Sequence, residues 1–156
     1  MTARRTATTA TPSGVAYLIG RLHRMLRRRL GEVLTPLGLT VQQYTVLAVL
    51  GARGQLSNAQ LAERAFVTPQ TANEMVKTME ANGWIERSPD PNHGRVINLK
   101  LTRSGREMLE GAHAATARLE IEMLAAMAAK DRQCFHDQLK ASIHALSLTM
   151  PDTGGA

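Results

Sequence analysis

Two helix start signals lie close together in the middle of this chain, and a change of hydrophobic period follows them. Ser57 precedes an apolar run and has Gln60 three residues later, which is the capping-box pattern. Thr68 and Pro69 combine a favoured N-cap with the residue favoured in the first helical turn. From residue 96 the apolar residues recur at every second position, as they do in a strand. The block therefore predicts two short helices followed by a β-hairpin.

The hairpin is predicted between residues 84 and 101. Ile97, Leu99 and Leu101 share one side of the alternating run and are expected to form its buried face. Trp84–Arg87 is the predicted partner strand. The intervening run Ser88–Gly94 is dense in turn-forming residues, as a hairpin connection requires.

Helices are also predicted on both sides of this block. From Val15 the apolar residues recur three and four positions apart, which is typical of an amphipathic helix, and Pro36 and Gly38 end it. Thr40 opens a second helix. Thr102 opens a long helical region whose apolar residues lie on several faces, so that more than one partner is needed to cover them.

Composition narrows the class of protein. The chain has 156 residues, which suits one compact domain or an assembly of two small ones. Its single cysteine excludes a disulfide framework within the chain and a cysteine-rich zinc site. The sequence has neither an apolar run near the roughly 18 residues of a membrane span nor an apolar secretory signal, so a soluble, cytoplasmic protein is expected. It shows no catalytic constellation, cofactor motif or metal-ligand spacing, so no cofactor or metal is expected and the protein is not expected to be an enzyme.

The net charge of +6 is concentrated at the front of the chain. The first 36 residues hold seven arginines and one acid, whereas the remainder is close to neutral. Such a basic segment permits nucleic acid or an anionic surface as a partner and does not choose between them.

The two short helices and the hairpin form the pattern of a helix-turn-helix with a wing. A major groove about 12 Å wide admits one helix, while the preceding helix braces it across the backbone. At about 100° per residue, the outward face of the second helix carries Gln70, Asn73 and Lys77, with Thr71 at its flank. Gln and Asn can pair with adenine, and Lys can reach guanine or phosphate. Glu74 lies on the same face and is expected either to accept from cytosine or to point aside.

Further DNA contacts are expected outside this helix. Arg95 follows the hairpin turn and can enter the narrow minor groove, or it can pair with a carboxylate such as Asp90 and fix the turn. Ser57 and Thr68, with nearby backbone amides, are expected to contact phosphates and set the register.

The run LSNAQLAERAFVTPQTANEMVKTMEANGWIERSPDPNHGRVINLKLTRSG resembles the winged helix-turn-helix core of the MarR (multiple antibiotic resistance regulator) family. The wing signature of that family is Asp-x-Arg, five residues and Leu-Thr. Arg95 and Leu101–Thr102 fit this signature, and Gly105 fits the glycine that usually follows. The position of the aspartate holds His93, and Asp90, three residues earlier, is the carboxylate that can replace it.

The resemblance implies a mainly α-helical fold with a small β-hairpin wing. It also implies a homodimer that binds double-stranded DNA at a pseudo-palindromic operator, with one half-site per subunit. The implied function is regulation of transcription, most often repression, relieved by a small molecule or an oxidant. The predicted segments are a disordered arm (1–13), an N-terminal dimerisation helix (14–38), a winged helix-turn-helix domain (39–102), C-terminal dimerisation helices (103–150) and a disordered tail (151–156).

By the same resemblance, an effector cleft is expected between the dimerisation helices and the DNA-binding part. A small aromatic or phenolic effector is the expected ligand, with His23, Arg27 and Tyr44 as candidate polar lining residues. Cys134 is a candidate oxidant sensor, with Arg132 and His136 nearby in sequence. Sensing cysteines in such family members, however, usually lie near the N-terminus.

A second interpretation of the same residues is a winged-helix protein-interaction module that does not read DNA. In that case the winged helix binds another protein, and the basic first helix binds an acidic partner. A gel shift with the DNA upstream of the protein's own gene, at two salt concentrations, distinguishes the two interpretations.

Overall fold

A computed structural model describes residues 14–92 and 94–149. The helices are α1 (Val15–Leu34), α2 (Val41–Arg53), α3 (Asn58–Arg64), α4 (Pro69–Ala81), α5 (Arg103–Met123) and α6 (Ala129–Thr149). The strands are β1 (Gln55–Ser57), β2 (Ile85–Pro89) and β3 (Ile97–Leu101), and a 3₁₀ turn (Thr35–Leu37) follows α1. The predicted arm, His93 and the predicted tail lie outside the described residues.

The predicted helix starts are confirmed. The side chains of Thr40, Ser57 and Thr68 each accept a hydrogen bond from the backbone amide three residues later. In α2 and α3 the cap amide also donates to the glutamine side chain at that position, at 2.9 Å and 3.0 Å. These bonds satisfy amides that a helix start leaves without a partner. Because the bonds join residues only three positions apart, the helix starts could be predicted from the local sequence.

The wing belongs to a three-stranded antiparallel sheet with the strand order β1-β3-β2. β2 pairs with one edge of β3, beginning with Ile85 opposite Leu101. β1 pairs with the other edge, where Ser57 lies opposite Asn98. The hairpin was predictable from the sequence but β1 was not, because three residues are too few to show a period.

Two details of the predicted hairpin are wrong. Trp84 lies before the strand and closes the end of α4, where its amide donates to the Met79 carbonyl at 2.9 Å. Ile97 is 43% exposed and Asn98 only 6%, the reverse of the expected burial. Ile97 lies beyond the last residue paired with β1. Asn98 is paired with β1, and its side-chain amide donates to the Asp90 carboxylate at 2.8 Å.

The core lies between α2, α3, α4 and the sheet. Its fully buried side chains include Val46, Leu47, Leu50, Leu61, Val76, Met79, Ile85 and Leu99. Burying one such side chain contributes about 1.5–3 kcal/mol. The core therefore fixes the orientation of α4 relative to α3 and the wing.

The chain forms two compact units, the first ending at Thr116 and the second beginning at Ala117. In the second unit Phe135 and Leu139 of α6 are half-buried, whereas its last turns expose apolar side chains. In the first unit α1 exposes a series of apolar side chains, namely Val15, Leu18, Ile19, Leu22 and Met25. Each unit by itself thus presents apolar surface that the described residues leave uncovered.

No single helix among the described residues is long and apolar enough to cross a membrane. The stretch Val15–Leu37 and α2 meet the requirement of length and composition only when taken together, and they are bent by 85°. The break between them falls at residues 38–40, where Gly38 has a φ of 72°.

Cys134 is exposed on α6. Arg132, expected near its thiol, donates instead to a backbone carbonyl of the preceding turn at 3.4 Å. His136 lies with Nδ1 3.0 Å from the Asp137 carboxylate, and this hydrogen bond is the main cause that holds the pKa of Asp137 below its ordinary value. The oxidant-sensing role of Cys134 stays a prediction.

Candidate nucleic-acid interface

α4 is an amphipathic helix whose ends are set by local chemistry. Thr68 caps it, Pro69 opens its first turn, and Gly83 with a φ of 72° follows its last turn. Ala72 and Val76 on its inner face are fully buried. One face therefore fixes the helix to the domain, and the opposite face is left to solvent.

The residues predicted to read DNA lie on the solvent side of α4. Gln70, Thr71, Asn73 and Lys77 are all exposed. Within the described part of the chain, the side chains of Asn73 and Lys77 make no hydrogen bond or ion pair. They can therefore turn toward a duplex without breaking an internal contact. The Thr71 hydroxyl, by contrast, lies 2.8 Å from the hydroxyl of Thr68.

Glu74 is held by its neighbour one turn earlier. The Nε2 of Gln70 donates to the Oε1 of Glu74 at 3.3 Å. This contact favours the expectation that Glu74 turns aside from the bases. Gln70 keeps its carbonyl oxygen and one amide hydrogen, which are the groups that pair with adenine.

A hydrogen bond that no sequence pattern indicated ties α3 to α4. The side-chain nitrogen of Asn58 donates to the backbone carbonyl of Pro69 at 3.1 Å. The Oδ1 of Asn58 is buried and has no partner among the described residues. An asparagine directly after the Ser57 cap is common in the first turn of a helix, so its hydrogen bond to Pro69 could not be predicted from the sequence. Ser57 and Thr68 use their hydroxyls as helix caps, and their contact with phosphate stays a prediction.

Asp90 anchors the loop of the wing. Its carboxylate accepts from the side chain of Asn98 and from the backbone amide of Asn92, both at 2.8 Å. Its own amide donates to the Val96 carbonyl at 2.8 Å, which ties the two ends of the loop together. The alternative pairing of Asp90 with Arg95 is not seen. Arg95 is exposed and has no hydrogen bond or ion pair in residues 14–92 and 94–149.

The start of α5 is packed closely against the end of α4. Thr102 donates through its hydroxyl to the Gly83 carbonyl and through its amide to the Trp84 carbonyl. Gly105 donates to the Thr102 hydroxyl at 3.0 Å. A Cβ at Gly105 would lie 2.0 Å from the Trp84 oxygen, so only glycine fits there.

An open cavity of about 550 Å³ lies between the C-terminal end of α2, β3 and α5. Leu101 and Leu109 form part of its apolar wall, while Lys100, Arg106 and His113 bring polar groups to it. Arg106 donates to the Leu101 carbonyl at 2.9 Å. Apolar walls with a few polar groups are typical of small-molecule sites.

The three predicted effector residues are not brought together at this cavity. The hydroxyl of Tyr44 lies 3.4 Å from that of Thr116, and its ring meets His113 edge-on with centroids 6.0 Å apart. Tyr44 therefore adjoins the cavity through His113. His23 and Arg27 are exposed on α1 and do not line it.

Two helices joined by a short turn, the second exposing a polar face and followed by a β-hairpin, define a winged helix-turn-helix protein. The family model described as the MarR family matches residues 37–96. The chain is also 31% identical to the HTH-type transcriptional repressor Rv2887 of Mycobacterium tuberculosis over 131 residues, or 84% of this chain and 94% of that protein. The chain belongs to the MarR family.

Solved structures agree with this assignment. A mutant of MarR from Escherichia coli, complexed with operator DNA, has a TM-score of 0.71 at 26% identity and covers 81% of this chain and 91% of that one. The Mycobacterium tuberculosis protein Rv2887, in complex with p-aminosalicylic acid, has a TM-score of 0.69 at 29% identity and covers 83% and 98%. The predicted fold class, mainly α-helical with a small β wing, is confirmed.

Proposed function

We propose that this protein is a homodimeric, cytoplasmic transcription repressor that binds a pseudo-palindromic operator and is released by a small-molecule effector. The observation that carries the proposal is the solvent face of α4, where Asn73 and Lys77 stand exposed while the opposite face is locked into the core. The complex of the similar Escherichia coli protein with operator DNA supports DNA binding by this chain.

In this proposal α4 lies in the major groove and the wing lies over the adjacent minor groove. Gln70 and Asn73 read base edges, and Lys77 contacts guanine or phosphate. The guanidinium of Arg95 enters the minor groove, where a narrow width strengthens the negative potential. The full set of residues assigned to the duplex is Ser57, Thr68, Gln70, Thr71, Asn73, Lys77 and Arg95.

A second copy of the chain binds the second half-site of the operator. The apolar side chains that α1 exposes, such as Leu18 at 51% and Met25 at 62%, support burial against another subunit. In α6, Ile143 and Leu146 are exposed in the same way. A dimer places two α4 helices roughly 34 Å apart, which is one turn of the duplex.

The effector is a small aromatic or phenolic molecule that favours a different spacing of the two α4 helices, so that both half-sites are not engaged at once. The cavity beside α5 supports such a ligand because it combines apolar walls with polar groups, namely Arg106, Glu110 and Lys100, of which Lys100 also pairs with Glu86 at 3.2 Å. The complex of Rv2887 with p-aminosalicylic acid shows that a similar protein takes an aromatic acid. Tyr44 adjoins this cavity through His113, whereas His23 and Arg27 do not line it, and the effector role of all three residues stays a prediction.

Asn73→Ala tests base reading. The variant loses the paired donor and acceptor of one amide, so binding to the operator is expected to weaken by about 1–3 kcal/mol. Binding to a random duplex of equal length is expected to stay unchanged. Fluorescence anisotropy with both duplexes at one salt concentration measures the difference. Equal losses on both duplexes would remove the base-reading role of Asn73.

Lys77→Ala is the matched variant for a contact that reads no sequence. Its loss is expected on operator and random duplex alike, because a phosphate is present in every sequence. The slope of log affinity against log salt is expected to fall by about one. An unchanged slope with a loss confined to the operator would assign Lys77 to a base instead.

The wild-type protein decides between this proposal and the protein-interaction module. A gel shift with the DNA upstream of its own gene is expected to show retardation that weakens from low to moderate salt. Absence of retardation at low salt contradicts the proposal.

A further inference from the structure

Three helical segments of the described chain end in the same backbone motif. At the end of the 3₁₀ turn, Gly38 has a φ of 72°, and at the end of α4, Gly83 has a φ of 72°. At the end of α3, the Val67 amide donates to the Ala62 carbonyl at 3.0 Å, and the Phe66 amide donates to the Glu63 carbonyl at 3.2 Å. This is the Schellman arrangement, in which one residue adopts the left-handed conformation. In α3 that residue is Phe66, with a φ of 54°.

Phe66 is an unfavourable choice for the free protein. A left-handed φ brings Cβ too close to the following carbonyl oxygen in any residue except glycine. The side chain gains no packing in return, because Phe66 is 81% exposed, the largest fraction among the exposed large hydrophobic residues of the described chain. Strain without compensation inside the fold points to a contact outside it.

Phe66 lies where α4 begins. Only Val67 separates it from Thr68, the cap of α4, so its Cα is at most about 7 Å from the Cα of the cap. In a helix-turn-helix, the N-terminal residues of the second helix are those that contact base edges. A duplex bound by Gln70 and Asn73 therefore passes close to the backbone of Phe66, whose side chain is exposed to solvent.

We propose that Phe66 is an apolar contact to DNA at the edge of the α4 footprint, packing on a thymine methyl group or on a deoxyribose. An uncharged ring has no attraction for phosphate, whereas phenylalanine is one of the side chains that contact the thymine methyl. The proposal rests on the proposed function, because it requires α4 in the major groove.

Phe66→Gly tests whether Phe66 contacts DNA or has no function at this position. If it contacts DNA, the variant is expected to be more stable and to bind DNA more weakly. Relief of the left-handed strain is expected to raise the melting temperature by about 2–4 °C. Affinity for a duplex from upstream of the protein's own gene is expected to fall about tenfold. Phe66→Leu keeps the backbone strain and part of the apolar surface, so it is expected to bind with intermediate affinity and without the gain in melting temperature.

A duplex with deoxyuridine in place of thymine distinguishes the two apolar sources. If the ring packs on a thymine methyl, the wild type binds the deoxyuridine duplex more weakly than the thymine duplex. Phe66→Gly then binds the deoxyuridine duplex about as tightly as the wild type does. If the ring packs on a deoxyribose, the difference between wild type and variant is the same on both duplexes.

The proposal is overturned if Phe66→Gly binds the thymine duplex as tightly as the wild type while Asn73→Ala binds it more weakly, and in that case the proposed function stands. Unchanged binding with lost repression in a transcription assay with purified polymerase would assign Phe66 to a protein contact and overturn the proposal as well. If the wild type itself does not retard the upstream duplex at low salt, both the proposed function and this inference fail.

Discussion

Gly105→Ala is expected to lower the free energy of unfolding of the DNA-binding unit by about 3 kcal/mol, at the upper end for an overpacked site. The added Cβ would meet the Trp84 carbonyl oxygen at 2.0 Å and its carbon at 2.9 Å. These are backbone atoms that cannot rotate away, and that oxygen also accepts from the Thr102 amide at 3.0 Å. Relief of the clash must therefore separate α5 from the end of α4 or break that bond.

Gly111→Ala is the matched control on the same helix. Among the described residues, a Cβ at Gly111 would have no neighbour within 4 Å, and the residue is exposed. Alanine is favoured over glycine inside a helix, so this variant is expected to gain about 0.5–1 kcal/mol. Denaturant unfolding, followed by helical circular dichroism and by the fluorescence of Trp84, measures both variants. Similar effects of the two variants would show that the contact between α5 and Trp84 is looser than described.

The double variant Leu18→Lys and Met25→Lys is expected to be monomeric and to bind the operator roughly 10²–10⁴-fold more weakly, because binding of two linked half-sites gains that much over binding of one. Both side chains are exposed in the described chain, so the fold of the subunit is expected to be retained. Light scattering after size exclusion gives the oligomeric state, and anisotropy gives the affinity.

Arg24→Ala on the opposite face of α1 is the control for this experiment, and we expect it to leave the dimer intact. Circular dichroism checks that the double variant keeps its helices. A double variant that remains dimeric would move the subunit interface away from α1. A folded monomer with full operator affinity would remove the need for two copies.

The features that sequence predicted are those in which a residue acts on its own neighbours. Ser57 and Thr68 cap amides three residues away, so their hydrogen bonds could be read from spacing alone. The outward position of Asn73 followed from helical phase and the apolar residues of α4, and its side chain is exposed as expected. Its contact with bases stays a prediction.

The features that sequence missed depend on distant partners or on an unusual backbone. Asn98 can be buried because its side-chain amide donates to Asp90. An alternation of apolar and polar residues assigns polar residues to the exposed face, so it could not predict a buried asparagine. Asn58 reaches Pro69 only once the turn has brought the two helices together. Phe66 takes a conformation that sequence normally marks with glycine.

Ser57 belongs to three parts of the domain at once. It ends β1, it caps α3, and it lies opposite Asn98 of the wing, whose amide in turn donates to Asp90 at the base of the wing loop. The helices and the wing are therefore coupled at one point rather than hinged. The shared residue therefore limits rotation of α3 and the wing relative to each other. A substitution at Ser57 is expected to disturb the start of α3 and the base of the wing together rather than either one alone.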